Sequence, residues 1–319
     1  MPTRGNVHTL RAGQQRKIAY TPFQLRFLSS LFGLNSGSVF FVDSGGGGAD
    51  ATDAGTFEAP FLTMNYADQR AAANNGDVVF VKAGHVETVS AAAGLDLNTA
   101  GVTWIAEGVG ASRATVNFTT VVGADMNIDG ANIMMHNFLF TGGIDALTGP
   151  IDVNAADFQL LDCEWRDVTG QATDVIVADA NADRILIDGL VYRGATAAGT
   201  NAGIVLIGME SPTITNLWMD GNFAVGGIDI RTTAVTDLTV SNVVFRTRNN
   251  ADIFLIDTIT GSTGMIGGGW GIFIRLQQNE ANITEAITGA TFVVCDNVWV
   301  VNMAGEKAML LNWVASTDA

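Results

Sequence analysis

The 319-residue chain is predicted to be all-β, a single-stranded right-handed parallel β-helix winding at about 25 residues per coil. Three observations predict it. The first is composition. Hydrophobic residues make up 48% and charged ones 15%, with 37 glycines against 5 prolines, and the apolar set leans on Val, Ile and Ala. Such a chain is too apolar to stay disordered and is suited to short strands with tight corners.

The second observation is a phrase that recurs from residue 131: ANIMMHNFLFTGG, ADFQLLDCEWRDV, ADRILIDGLVYRG, PTITNLWMDGNF and VTDLTVSNVVFRT. Phe140, Trp165, Tyr192, Met219 and Phe245 close it at intervals of 25, 27, 27 and 26. The third is a strand between the phrases, marked by Ile151, Ile176, Ile204, Ile228 and Ile253 at intervals of 25, 28, 24 and 25. Two markers with one period, and no room for a crossover helix, leave winding about an axis as the way for successive strands to pair in parallel. At ~4.8 Å per coil, residues 75–300 predict about nine coils and a rod of roughly 45 Å.

Residues 1–37 form the first element, a basic arm. Arg4, Arg11, Arg16, Lys17 and Arg26 lie in it and no acidic residue does, leaving eleven basic residues against 32 acidic ones in the body, a balance of −21. The body should repel nucleic acid and anionic membrane, while the arm is drawn to an acidic partner. The arm also carries Phe23, Phe27, Leu28, Leu31 and Phe32, apolar side chains that a free tail would not leave in water. The patch FLSSLFGL starts far from Met1 and abuts Arg26, so it reads as no secretory signal. Mean hydropathy is +0.27, yet no stretch approaches the roughly 18 uninterrupted apolar residues of a spanning helix.

The β-helix is expected over residues 38–303, with residues 304–319 as a C-terminal cap and tail in which Leu310, Leu311 and Trp313 form the apolar part. At its entry Thr63 can N-cap a helix over 64–73 that covers the open end of the coil stack, where unpaired strand edges invite aggregation. Within the repeats, Asn137, Asp162, Asn216 and Asn242 stand three residues before the closing side chain, with Gly189 in the same slot of the third copy. Asn and Asp tolerate the left-handed backbone of a sharp corner and can stack there as a ladder. Cys163 and Cys295, about five coils apart, are expected to be separate reduced thiols, and the three scattered histidines offer no zinc spacing.

Residues 39–84 read VFFVDSGGGGADATDAGTFEAPFLTMNYADQRAAANNGDVVFVKAG. This resembles the opening of the pectate-lyase-like right-handed β-helix proteins. The matching positions are Asp43, Gly55, Thr56, Pro60, Phe61, Thr63, Ala67, Gly76, Asp77, Val78, Val79, Val81 and Gly84. The resemblance implies the fold and leaves activity open, because enzymes and purely structural members share the phrase.

Catalytic signals are sparse. The N-T-D, G-H-G and R-I-K strings of polygalacturonase-like members are absent, and His85 and His136 read as structural or surface residues. A lyase-like site needs a carboxylate-held Ca²⁺ and an Arg or Lys base, and the body has few basic residues. Acidic pairs such as Asp162 and Glu164 with Asp188, or Asp179 with Asp183, satisfy the spacing of glycoside hydrolysis but read as corner and surface residues. The loop from Asp43 to Asp53 matches neither an EF-hand nor a P-loop and reads as flexible, so no cofactor or metal is expected.

Two functions from different classes follow. The first is a non-enzymatic bacteriophage virion protein, since small β-helices with this opening and no catalytic strings are similar to phage structural proteins. It would be a capsid decoration (cement) protein on the outer capsid surface, a homotrimer docked through the arm on the major capsid protein. Arg4, Arg11, Arg16, Lys17 and Arg26 would set register, and Phe23, Phe27, Leu28, Leu31 and Phe32 would bury. The alternative is a polysaccharide-binding or -degrading β-helix, a tailspike-type depolymerase or secreted lyase, which predicts a surface groove with aromatic residues and carboxylates; Trp104, Trp165, Trp218, Trp270 and Trp299 are the candidates, though most fall where coils place inward or corner side chains.

Overall fold

The computed structural model describes residues 37–45, 47–195, 199–247, 253–269, 271–275, 287–288, 291–294, 298–301 and 307–310. They form a right-handed parallel β-helix with three faces. The first face stacks Val39–Val42, Val78–Val81, Thr103–Ala106, Met134–His136, Gln159–Leu161 and Leu186–Asp188. The second stacks Val86–Val89, Thr115–Phe118, Leu139–Gly142, Glu164–Asp167 and Val191–Arg193. The long strands Thr213–Gly221 and Leu238–Thr247 run through the corner and continue both faces. The third face is a separate eight-stranded sheet, from Leu95–Leu97 to Ile287–Thr288.

The two sequence markers lie on different faces, and both point inward. Phe140, Trp165, Tyr192, Met219 and Phe245 are aligned in register on the second face and fully buried. On the third face Ile151, Ile176, Ile204 and Ile228 stack in the same way. There the reading slips at one step: Ile253 pairs with Gly226, and the residue stacked on Ile228 is Leu255. Two extra residues enter that coil, and the alternation of period two let a second apolar residue imitate the marker.

The corners explain the Asn and Asp pattern. Asn137, Asp162, Gly189, Asn216 and Asn242 all have positive φ, from 50° to 77°. The side chains do not stack as one row. The Asn137 amide donates back to the Ala106 and Gly108 carbonyls, Asp162 pairs with His136, and the Asn216 amide donates to Asp188. Gly189 leaves no side chain to continue a row, and a Cβ there would meet Asp162 Oδ1 at 2.5 Å.

A second left-handed corner joins the third face to the first, through Asn132, Asp157, Arg184, Ser211 and Asp237. Each of the first four donates its backbone N–H to the next coil, to the carbonyls of Ala156, Asp183, Glu210 and Thr236. The sequence conceals this row because Arg and Ser occupy two of its positions. Arg184, a bulky residue in a costly conformation, is held by a two-pronged bond to Asp157 one coil away.

The lid helix spans Met64–Arg70, shorter than the 64–73 expected, because the chain turns extended at Ala71. Thr63 caps it by accepting from the Tyr66 N–H, and Glu87 accepts from Met64 N at 2.7 Å. The loop expected to be flexible is tied at its far end: Asp50 accepts from the N–H groups of Leu62 and Thr63 and from the Thr63 hydroxyl. At the other end Lys307–Leu310 adds an antiparallel strand on Val298–Val301. The arm, with all ten docking residues assigned to it, lies outside the described residues, as do Leu311, Trp313 and Trp270. Cys163 is buried and free, and Cys295 falls outside the described residues.

Candidate functional site

Outward positions differ sharply between faces. On the second face, two columns of side chains stand side by side. One runs through Glu164, Val191, Trp218, Val244, Phe273 and Trp299, and the other through Arg166, Arg193, Asp220 and Arg246. Six strands at ~4.8 Å spacing make a stripe of roughly 24 Å along the rod. Phe273 and Trp299 are 44% and 42% exposed, an open aromatic surface rather than core.

At the start of the stripe a single carboxylate gathers three guanidinium groups. Glu164 pairs with Arg113, with Arg166 at 2.5 Å and with Arg193 at 2.9 Å. Burial pushes the Glu164 carboxyl up, but the bonds and charges of Arg166 and Arg113 outweigh it and hold the group below its ordinary value. Glu164 is therefore ionised and the cluster carries two positive charges in excess, on a chain of net charge −16. Arg193 lies over the Trp218 ring, 4.9 Å from its centroid, which fixes the guanidinium in place. Farther along, Arg246 stands 3.8 Å from Asp220.

Such a surface presents oriented, partly dehydrated guanidinium groups next to flat apolar rings. Guanidinium groups bind carboxylate or sulfate in a two-pronged geometry, and aromatic faces take the C–H faces of sugars or other flat ligands.

The acidic pairs weighed from the sequence do not assemble into a site. Glu164 is enclosed by arginines, and Asp188 and Asp183 accept bonds from Asn216 and from the Glu210 N–H. Asp179 accepts from the Asn181 N–H in a turn. Of the five tryptophans proposed for a groove, Trp104 and Trp165 are core residues, while Trp218 and Trp299 do reach the second face.

His85 is buried. Its Nδ1 accepts from the Ser44 N–H and its Nε2 faces Glu87 at 3.1 Å, so it ties the entry loop to the lid helix. His136 is half-exposed, 3.3 Å from Asp162.

On the third face Arg231 clamps Asp229, two residues before it, and Asp174, two coils away. On the same face burial is the main cause that raises the carboxyls of Asp125 and Asp152, with further repulsion from Asp96 and Asp129 on the first and from Asp125, Asp179 and Asp129 on the second. Among the described residues no group of three or more His, Cys, Asp or Glu is arranged to hold a metal ion, and no helix is long and apolar enough to cross a membrane.

The arginine row was available to sequence reading only after the coils were in register. Arg166, Arg193 and Arg246 are 27 and 53 residues apart, one and two coils, but a basic residue on an acidic chain draws no notice until its neighbours in space are known.

No protein-family model matches the chain, and no curated protein matches it. Among solved structures it is similar to one titled rhamnogalacturonan lyase, with a TM-score of 0.47 and 14% identity, covering 86% of this chain and 90% of that one. That likeness concerns the fold. The expectation that the chain catalyses nothing is withdrawn, because it rested only on missing motif strings, which are no evidence of inactivity.

Proposed function

We propose that the protein is a polysaccharide-directed β-helix that binds a glycan along its second face and belongs with the carbohydrate-active members of this fold. One observation carries the reading: the stripe of Arg166, Arg193, Trp218, Arg246, Phe273 and Trp299, where cationic and aromatic side chains share one outward surface on an otherwise acidic body. Arginines held by Glu164 are pre-organised, so binding does not have to order them. A guanidinium pair against a sugar carboxylate also withdraws charge from the carbon that bears it, the assistance that eliminative cleavage uses.

The test is a panel of acidic and neutral glycans, measured by calorimetry for binding and by new unsaturated or reducing ends for cleavage. Replacing both Phe273 and Trp299 by Ala is expected to weaken glycan binding by about tenfold or more, at ~1–3 kcal/mol per lost stacking partner as measured for aromatic stacking on other flat rings. Unchanged binding by a folded double variant would rule out this face. Docking of the arm on an acidic shell protein, as a trimer on a virion, is a separate proposal carried by the composition of residues 1–37. Deleting them separates the two, since glycan binding by the body is expected to survive the deletion.

A further inference from the structure

Arg166 and Arg193 meet the same carboxylate oxygen with the same atom. Each donates its Nε–H to Glu164 Oε1, at 2.5 and 2.9 Å. The two residues are register partners on neighbouring strands, so their side chains leave the sheet one coil apart, ~4.8 Å. Among the described residues nothing accepts a hydrogen bond from the Nη groups of either, and the two side chains are 34% and 54% exposed. Arg113 differs. It is buried, its Nε donates to the Gly110 carbonyl and its Nη2 to Glu164, so it supplies charge rather than a surface contact.

A sugar carboxylate has two oxygens, and one two-pronged guanidinium satisfies them. A phosphate monoester offers three acceptor oxygens and about −1.5 to −2 charges at neutral pH. That is enough to engage both arginines and to match the two positive charges in excess in the cluster. A sulfate ester has the oxygens but only a single charge. Both guanidinium groups are held before any ligand arrives, Arg166 by Glu164 and Arg193 by Glu164 and the Trp218 ring, so little ordering opposes binding. Beside Arg166 the outward column continues through Thr141 and Asn117. The Thr141 hydroxyl donates to Asn117 Oδ1, which leaves the Asn117 amide N–H groups and the Thr141 oxygen for sugar hydroxyls.

We propose, resting on the glycan reading above and naming its ligand class, that Arg166 and Arg193 form a subsite for the phosphate monoester of a phosphorylated sugar, with Thr141 and Asn117 against its ring.

The experiment is calorimetry of the full chain with one sugar that varies at a single carbon: glucose 6-phosphate, glucose 6-sulfate, glucuronate and glucose. Inorganic phosphate serves as the same oxyanion without a sugar. The wild type is expected to bind glucose 6-phosphate about tenfold tighter than the sulfate or glucuronate. Inorganic phosphate should bind about threefold or more weakly than the ester, because it makes no contact at Thr141 and Asn117, and glucose should be weakest of all. Arg166→Ala should lower the affinity for glucose 6-phosphate by about tenfold. Arg166→Lys keeps the charge without the planar fork, and should shrink the preference for phosphate over glucuronate to within about threefold. Arg70→Gln, exposed in the last turn of the lid helix, controls for loss of a basic side chain elsewhere.

Glucuronate or glucose 6-sulfate binding as tightly as glucose 6-phosphate overturns the proposal and leaves the glycan reading in place. Inorganic phosphate binding as tightly as the ester overturns it too, since the pair would then hold any phosphate. So does a folded Arg166→Ala protein with unaltered affinity for glucose 6-phosphate. The glycan reading is judged apart from these probes, on polysaccharides and at Phe273 and Trp299, so the two fail separately.

Discussion

Cys163 shows how burial decides the chemistry of a single residue. Its thiol lies in the core, and desolvation pushes its pKa up to about 12. The thiolate, not the thiol, is the nucleophile, so Cys163 is expected to be inert at pH 8 in the native protein. In a Cys295→Ser background, maleimide labelling should be absent until denaturant unfolds the chain. Rapid native labelling would show that the coil around Cys163 opens. Trp104 is a contrasting residue. Its indole N–H is buried with no partner among the described residues, a cost of about 1–3 kcal/mol accepted in exchange for filling the core beside Val79 and Met135.

The corner is the element on which the coil depends, because the chain must bend there from one face to the next within a few residues. At Gly189 φ is 77°, and an added Cβ would press on Asp162 in the coil below. Gly189→Ala is expected to lower stability by about 1–3 kcal/mol, the range for a non-glycine side chain forced into a disfavoured backbone region, read as a fall in urea midpoint at unchanged m-value. A variant as stable as the wild type would mean that the corner can relax to another conformation. The lid helix makes the same point about local and distant causes. Thr63 is a cap visible in the sequence, whereas Glu87, which also accepts a helix N–H, comes from the following turn of the solenoid.

Over the whole molecule, carboxylates with raised pKa outnumber those with lowered ones among the described residues. Burial is the leading cause of the rise at Asp68, Glu107, Asp125, Asp152, Asp167 and Asp229. Each binds its proton more tightly folded than unfolded, so between the unfolded value and the raised folded one the native state holds more protons. Stability from these six therefore increases as pH falls through their folded values. Asp157, held down by its bond to Arg184, and Glu164 act in the opposite sense: their contribution is present above the unfolded value and is lost as pH falls through the folded one. The balance predicts a Tm that rises from pH 7 into the mildly acidic range just above the ordinary carboxylate values and falls below it. A Tm that declines steadily from pH 7 downward would show that these carboxylates are not buried as described.

What the sequence determined by itself was the repeat. An inward stack must reuse large apolar side chains at a fixed interval, so Phe140, Trp165, Tyr192, Met219 and Phe245 announce the coil and its period before any coordinate is known. The left-handed corner at Asn137, Asp162, Asn216 and Asn242 was legible for a similar reason, because few residues tolerate that backbone. Local chemistry did not reveal the second corner, where Arg184 and Ser211 are held by bonds from neighbouring coils, nor the slip at Ile253. Only the tertiary structure could bring Arg113, Glu164 and Arg193 together across 80 residues of chain and leave Asp220 between two arginines. A core repeats because packing selects the same side chains coil after coil, whereas an outward surface is free to vary, and its meaning depends on which coils happen to be neighbours.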